Sequence, residues 1–332
     1  MKKLLALLLS AAMLASLAAC SNTSNPSSNG GDNQNSDKTY VIGICQQVQH
    51  PALDAATEGF EKALTELLGD KVDFKPGNAA GDSANCSVIC TQFVADGVDL
   101  ILANGTAPLQ AAAAATNEIP VLGTSITDYA TALEISDWDG VTGMNISGTS
   151  DLAPLDQQAD LLHEMFPNAK NVGILYCSAE PNSKYQSDVI TGHLEKLGYT
   201  VTEYTFADSN DVASVTQTAC DSSDVIYIPT DNTAASCTEA INNVAQPAGV
   251  PIIAGEEGIC SGCGVATLSI SYYDLGYMTG KMAYDILVNG TDIKTTEVQY
   301  VSEVAKKYNP TICEALNITP PEGYEAIETA GE

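Results

Sequence analysis

Positive charge is what this sequence most lacks. Thirteen lysine and arginine residues face 42 aspartates and glutamates over 332 positions, for a formal net charge of −29. Binding a nucleic acid needs clustered basic side chains to neutralise phosphates, so general nucleic-acid binding is excluded. The same deficit argues against docking on anionic lipid through protein charge. Histidine is scarce as well. Of three, His50 stands before Pro51 at a helix start, His163 and His193 fall inside helical stretches, and none lies at ligand spacing from another. GxSxG, GxxxxGK[ST] and GxGxxG are all absent, which removes the nucleophile elbow, the phosphate loop and the dinucleotide fingerprint. Catalysis would need a nucleophile with its base, paired carboxylates or a metal. No such set stands out, so no enzyme activity, cofactor or metal site is expected. One tryptophan and five phenylalanines offer few rings to stack on a sugar, although fourteen tyrosines could serve.

Long apolar runs are missing too. The stretch from Leu4 to Ala15 is too short to span a bilayer permanently. With Lys2 and Lys3 before it and Leu17-Ala18-Ala19-Cys20 after it, it reads as a secretory signal over residues 1–19. Leu-Ala-Ala-Cys resembles the bacterial lipobox, which implies cleavage before Cys20 and acylation of its thiol and new amino group. Several acyl chains anchor lastingly where one would be marginal. A plain secreted protein with a chance cysteine is the alternative. Ser21 to Lys38 (SNTSNPSSNGGDNQNSDK) has nothing apolar to bury and reads as a flexible tether. A folded part is expected from about Tyr40, held at the extracellular face of the cell membrane, or in the periplasm of a Gram-negative cell. Removing Lys2 and Lys3 with the leader leaves 11 basic residues against 42 acidic ones. About 310 residues would remain, enough for two domains with a good core.

Cysteine, by contrast, is plentiful. Beyond Cys20 there are nine, at 45, 86, 90, 177, 220, 237, 260, 263 and 313. An odd number scattered through apolar strands does not make a disulfide framework. Most are expected to be buried free thiols packing as small hydrophobes, which points to a reducing habitat. Cys260-Ser-Gly-Cys263 is a redox or zinc spacing, but one pair alone is weak. A local disulfide or idle thiols are favoured over a metal.

From Tyr40 onward strands and helices alternate. Short apolar runs at Val41–Cys45, Val72–Phe74, Asp99–Ala103 and Pro120–Thr124 read as strands covered on both faces. Between them, helical spacing predicts helices from Pro51 to Leu68, from Asp82 or Ser83 to Asp96, and from Pro108 to Thr116. A short strand is expected at Val141–Met144. The cycle then restarts, with a helix from Leu155 to Phe166. Strands follow at Asn171–Cys177, Tyr199–Tyr204, Asp224–Ile228 and Pro251–Ala254. Helices are expected at Lys184–Leu197, from Asp211 and at Asn232–Val244. Asp99-Leu-Ile-Leu-Ala matches Asp224-Val-Ile-Tyr-Ile, and Pro120-Val-Leu-Gly matches Pro251-Ile-Ile-Ala, an internal repeat of a whole lobe. Two such sets imply an α/β protein of two parallel-sheet, Rossmann-like lobes.

Open α/β sheets bind ligands beyond the carboxyl ends of their strands. Here those ends carry Gln46, Gln47, Thr106, Ser125, Thr127, Asp128, Glu180, Asn182, Ser183, Asp231, Asn232 and Glu256. Several of these would serve as helix caps in any case. As a set they predict one cleft between facing lobes.

The same positions carry a resemblance. His50-Pro-Ala-Leu-Asp54, Gly81-Asp82, Phe93-Val-Ala-Asp96, Val98-Asp-Leu-Ile-Leu102, Thr127-Asp128, Glu180-Pro-Asn-Ser183, Pro229-Thr-Asp-Asn232 and Tyr272-Tyr-Asp-Leu-Gly276 are similar, in this order, to the ABC-transporter substrate-binding lipoproteins of the tryptophan- and phenylalanine-binding type. The likeness runs almost throughout Tyr40 to Ile318. It implies a type I periplasmic-binding-protein fold with three chain crossings. The first lobe would hold residues 39–145 and 271–296, and the second 146–270 and 297–320. Closure would be a hinge motion. The resemblance further implies that Gln46, Thr106, Ser125, Thr127 and Asp128 line one side of the cleft. Glu180, Asn182, Ser183, Asp231, Asn232 and Glu256 would line the other. Asp231 or Glu256 would take an amino acid's ammonium, Ser125, Asn182 and Ser183 its carboxylate, and Tyr272 would pack on its side chain. The expected ligand is an aromatic or large apolar amino acid. The expected partners are an ABC permease and its ATPase, with the binding protein a monomer. A ligand sensor for a signalling receptor, or the same role with a sugar, nucleoside or branched-chain amino acid, remains open.

Overall fold

A computed structural model describes residues 38–301 and 303–327. The expected signal peptide, Cys20 and the tether before Lys38 lie outside them. Among the described residues no helix is long and apolar enough to cross a membrane.

The first lobe runs β1 (Tyr40–Gln46), α1 (Pro51–Leu68), β2 (Val72–Asn78), α2 (Ser83–Asp96), β3 (Leu100–Asn104), α3 (Thr106–Ala115), β4 (Val121–Ile126), α4 (Tyr129–Ala132) and β5 (Ile146–Ser150). The second runs α5 (Leu155–Met165), β6 (Asn171–Cys177), α6 (Pro181–Lys196), β7 (Thr200–Phe206), α7 (Val212–Cys220), β8 (Val225–Ile228), α8 (Asn232–Ser236), α9 (Thr238–Ala248), β9 (Ile252–Ala254), α10 (Glu257–Cys263) and β10 (Ala266–Ser269). The chain returns through α11 (Tyr272–Leu287) and β11 (Gln299–Tyr300), then closes with β12 (Ala305–Tyr308), α12 (Pro310–Ala315) and β13 (Glu325–Ala326).

The first sheet is parallel throughout, in the order β11-β5-β4-β3-β1-β2. The second has the order β13-β12-β10-β9-β8-β6-β7, with one antiparallel pairing, β10 with β12. In both, strand order reverses beside the lobe's first strand, the place where such sheets open a crevice. Inner strands such as β3 and β4 are buried at every position, as a sheet covered on both faces requires.

The internal repeat has a structural counterpart. Asp99 accepts a hydrogen bond from the backbone N–H of Val41 at 2.8 Å. Its equivalent Asp224 accepts from the N–H groups of Lys170 and Asn171, both at 2.8 Å. The carbonyl of Pro120 receives the N–H of Ile101, and that of Pro251 receives the N–H of Ile226. Each lobe thus pins the start of its first strand with the same carboxylate.

Helix α11 belongs to the first lobe through its packing on α1. A Cβ at Gly276 would sit 1.9 Å from the carbonyl oxygen of Ala56, and one at Gly59 would sit 2.1 Å from that of Tyr273. Only glycine allows two backbones this close. The contact fixes the N-terminus of α11, and with it Tyr272, between the lobes.

Several expectations shift. The strand expected at Val141–Met144 lies instead at Ile146–Ser150. Gly143 turns the chain at a φ of 69°, and pairing with β4 begins at Val121 opposite Ile146. Residues 146–150 and 299–300 therefore belong to the first sheet, where the sequence reading placed them in the second lobe. Sheet membership puts the crossings between Ser150 and Leu155, between Ser269 and Tyr272, and between Tyr300 and Ala305. The helix expected over 232–244 is two, because Cys237 leaves helical geometry at φ −119° and ψ 17°.

All nine cysteines among the described residues are free, and all but Cys237 are buried. Cys260 and Cys263 lie on α10 as separate thiols, so the CxxC spacing makes no disulfide here. Among the described residues no group of three metal-ligating side chains assembles.

Candidate functional site

Strand ends, helix starts and two chain crossings meet in one cavity between the lobes. Its free volume is only about 10 Å³, roughly the space of one water and far below the roughly 300–1,000 Å³ usual for ligand pockets. Its lining is His50, Ser125 and Thr127 from the first lobe, Asn182, Thr230, Asp231, Asn232, Ala235 and Glu256 from the second, and Asp151 and Tyr272 from the crossings.

The local fold explains each placement. Ser125 sits where the pairing of β4 with β5 slips between Gly123 and Ile126, and has a φ of 57°. A bulge re-aims a side chain, and a non-glycine residue at positive φ carries strain typical of functional positions. Asp151 follows β5 directly. Tyr272 opens α11 and donates its hydroxyl to Asp151 Oδ2 at 2.8 Å.

Asp231 and Glu256 are helix caps. Asp231 Oδ1 accepts from the N–H of Ala234, and Oδ2 from the N–H of Cys177 and the hydroxyl of Ser183, all at 2.7 Å. Glu256 accepts from the N–H groups of Gly258 and Ile259. Burial pushes both carboxyls up to about 7, and for Asp231 the neighbouring Glu180 adds to the push. Burial also raises the Asp151 carboxyl and lowers the His50 imidazole.

Five buried polar atoms in this lining have no hydrogen-bond partner: His50 Nδ1, Ser125 Oγ, Asp151 Oδ1, Asn182 Oδ1 and Thr230 Oγ1. Among the described residues only three other buried side-chain polar atoms share that condition. An unpaired buried polar group costs roughly 1–3 kcal/mol, so five in one cavity mark the place where a partner belongs.

Not every expected site residue reaches the lining. Gln46 spends its amide on Asp54 and Val48 and accepts from Thr57. Thr106 begins α3 and is buried, outside the lining. Asp128 caps α4 through the N–H of Thr131. Glu180 is fully engaged beneath the cavity, accepting from the backbone and side chains of Asn232 and Thr233 and from Asn182. Ser183 supports Asp231. Ser125, Thr127, Asn182, Asp231, Asn232, Glu256 and Tyr272 do line it.

The sequence reading missed His50, Asp151, Thr230 and Ala235. Asp151 follows the rule of polar residues at strand ends and escaped only because β5 was placed too early. His50 was legible as a helix start, but its bond to Asn232 Oδ1 across the lobes, 3.2 Å, is a tertiary contact. A second link joins Gln186 Nε2 to Thr127 Oγ1 at 3.5 Å.

Two repeated parallel-sheet lobes, three crossings and a polar cavity between them define a two-lobed solute-binding protein of the type I periplasmic-binding class. The chain belongs to the ABC transporter substrate binding protein family, whose model matches residues 41–329. It is 35% identical to the tyrosine-binding protein of Clostridioides difficile over 324 residues, 96% of this chain and 93% of that one. An ABC domain from Streptococcus pneumoniae, solved in complex with L-Trp, is 33% identical with a TM-score of 0.83, covering 87% of this chain and 100% of that one. The ligand-free, open structure of a Clostridium difficile substrate-binding protein with adhesive properties is 35% identical with a TM-score of 0.67, covering 88% and 100%.

Proposed function

We propose that this protein captures an amino acid with an aromatic or large apolar side chain and presents it to an ABC permease for import. The five unpartnered polar atoms converging on the interlobe cavity carry this reading. A relative named as a tyrosine-binding protein and one solved in complex with L-Trp support the ligand class. The lobe arrangement resembles the L-Trp complex more than the ligand-free open structure at nearly equal identity, which supports reading it as the closed form.

Asp151 takes the ligand's ammonium, because Oδ1 is free while the carboxylates of Asp231 and Glu256 are spent on helix caps. This shifts the role expected of Asp231 or Glu256. The hydroxyls of Ser125 and Thr230 take the carboxylate. The sequence contains no arginine, so no guanidinium can do so. The apolar side chain passes the Tyr272 ring towards a wider groove that shares Tyr272 and Glu256 and continues along Ala52, Ala55, Ile270 and Tyr273.

The mature chain is held by lipid on Cys20 at the extracellular face and hands its ligand to the permease, whose ATPase supplies the energy. Calorimetric titration with tyrosine, tryptophan, phenylalanine, branched-chain amino acids, sugars and nucleosides tests the ligand. Saturable binding of the aromatic amino acids supports it, and binding of sugars or nucleosides alone overturns it. Fractionation of cells carrying Cys20→Ala tests the anchor: the protein should leave the membrane for the medium.

A further inference from the structure

The cleft's free hydrogen-bonding capacity is lopsided, and the lopsidedness is built into the networks behind it. Asn232 Nδ2 donates to Glu180 Oε2 at 2.8 Å, which turns Oδ1 of the same amide towards His50 Nε2. Nε2 therefore carries the proton, and in a neutral imidazole the unpartnered Nδ1 is an acceptor. Asn182 commits its NH₂ to Glu180, Ser183 and the Thr230 carbonyl, which leaves Oδ1 as a bare acceptor. Asp151 Oδ1 is a third. All three residues are at least nine-tenths buried. The other unpartnered atoms, on Ser125 and Thr230, are hydroxyls that can donate or accept.

Among the side chains of the lining, no unpartnered atom is a fixed donor. Two of the helix N-termini at the cleft that could hold a ligand carboxylate are occupied: Asp231 and Glu180 take amides of α8, and Glu256 takes those of α10. Neither lysine nor arginine lines the cavity. Four carboxylates, Asp151, Glu180, Asp231 and Glu256, are buried in or directly behind it.

We propose that the cleft recognises its ligand first as a primary ammonium, whose three N–H donors match the acceptors of His50, Asp151 and Asn182, so that its ligand class extends to arylalkylamines lacking the carboxylate. This rests on the amino-acid reading above for the site, and separates from it in outcome.

The test is calorimetry on the purified protein with three matched sets. These are tyrosine, tyramine and 3-(4-hydroxyphenyl)propionate, with the corresponding tryptophan and phenylalanine series. Removing the carboxylate should weaken binding about tenfold, and removing the ammonium by a hundredfold or more. If losing the carboxylate costs as much as losing the ammonium, the proposal is overturned while the amino-acid reading stands. If amines bind and no amino acid does, the amino-acid reading fails and the proposal stands. No binding in any series sinks both. Asn182→Leu adds a second readout, since it should weaken amine and amino acid by the same factor. Thr230→Val should weaken only the amino acid; equal effects of Thr230→Val on both would also overturn the proposal.

Discussion

The hydroxyl of Tyr272 donates to Asp151 Oδ2 across 2.8 Å, and this bond joins two of the three chain crossings. Asp151 opens the first and Tyr272 ends the second, so the proposed ammonium acceptor is held by the hinge itself. Hydrogen bonds to charged groups contribute about 1.5–3 kcal/mol. Tyr272→Phe keeps the ring and removes the bond, so ligand affinity should fall by roughly ten- to a hundredfold, at about 1.4 kcal/mol per factor of ten. Calorimetry on this variant checks it. Unchanged affinity would separate the pair from ligand binding.

Asp151 and Asp128 both follow strands of the first sheet, yet their roles should differ. Removing one partner of a buried charge pair costs about 2–5 kcal/mol. Asp151→Asn should therefore weaken an ammonium-bearing ligand by about a hundredfold or more while leaving the empty protein folded. Asp128→Asn touches a cap on α4, costs about 1 kcal/mol of stability at most, and should leave affinity within about threefold. Paired titrations and melting curves decide between them.

The raised carboxyls make stability depend on pH with a definite sign. Asp231 moves from an ordinary 3.8, and Glu256 from 4.5, to about 7 in the folded chain. Between these limits the folded state holds protons that the unfolded state has released, so stability falls as pH rises through 7. His50, lowered by burial, works the other way and removes stability as pH falls below its ordinary 6.5. The ligand-free protein should thus melt several degrees higher at pH 6 than at pH 8, at roughly 2–4 °C per kcal/mol. Glu256→Gln should flatten part of that slope. A melting temperature that rises from pH 6 to pH 8 would contradict the burial of these acids.

Thiol accessibility gives a simple check on the core. Burial raises the thiols of Cys177 and Cys313 to about 11, and only Cys237 is partly open among the described cysteines. Native alkylation followed by mass spectrometry should modify Cys237 within minutes and leave the other eight unmodified until the chain is unfolded. A Cys260–Cys263 disulfide in the intact protein would run against the two separate thiols on α10.

The sequence by itself determined a great deal, because the signals involved are local. Apolar runs of four to seven residues, proline and aspartate at helix starts, and the repeated Asp-Val/Leu-Ile pattern gave two parallel-sheet lobes. The rule that ligands sit beyond strand ends placed Ser125, Asn182, Asp231, Asn232 and Glu256 near one cleft. Tertiary structure decided what each of them is free to do. A carboxylate at a strand end looks the same in sequence whether it caps a helix, as Asp128, Asp231 and Glu256 do, or keeps an oxygen unspent, as Asp151 does. That difference depends on which N–H groups the packed neighbours supply. His50 reads locally as a helix start and becomes a wall of the cavity only when the second lobe brings Asn232 to it. Hydrogen-bond satisfaction is a property of the assembled network, so the division between residues that support the cleft and residues left open to a ligand emerges only once both lobes are in place.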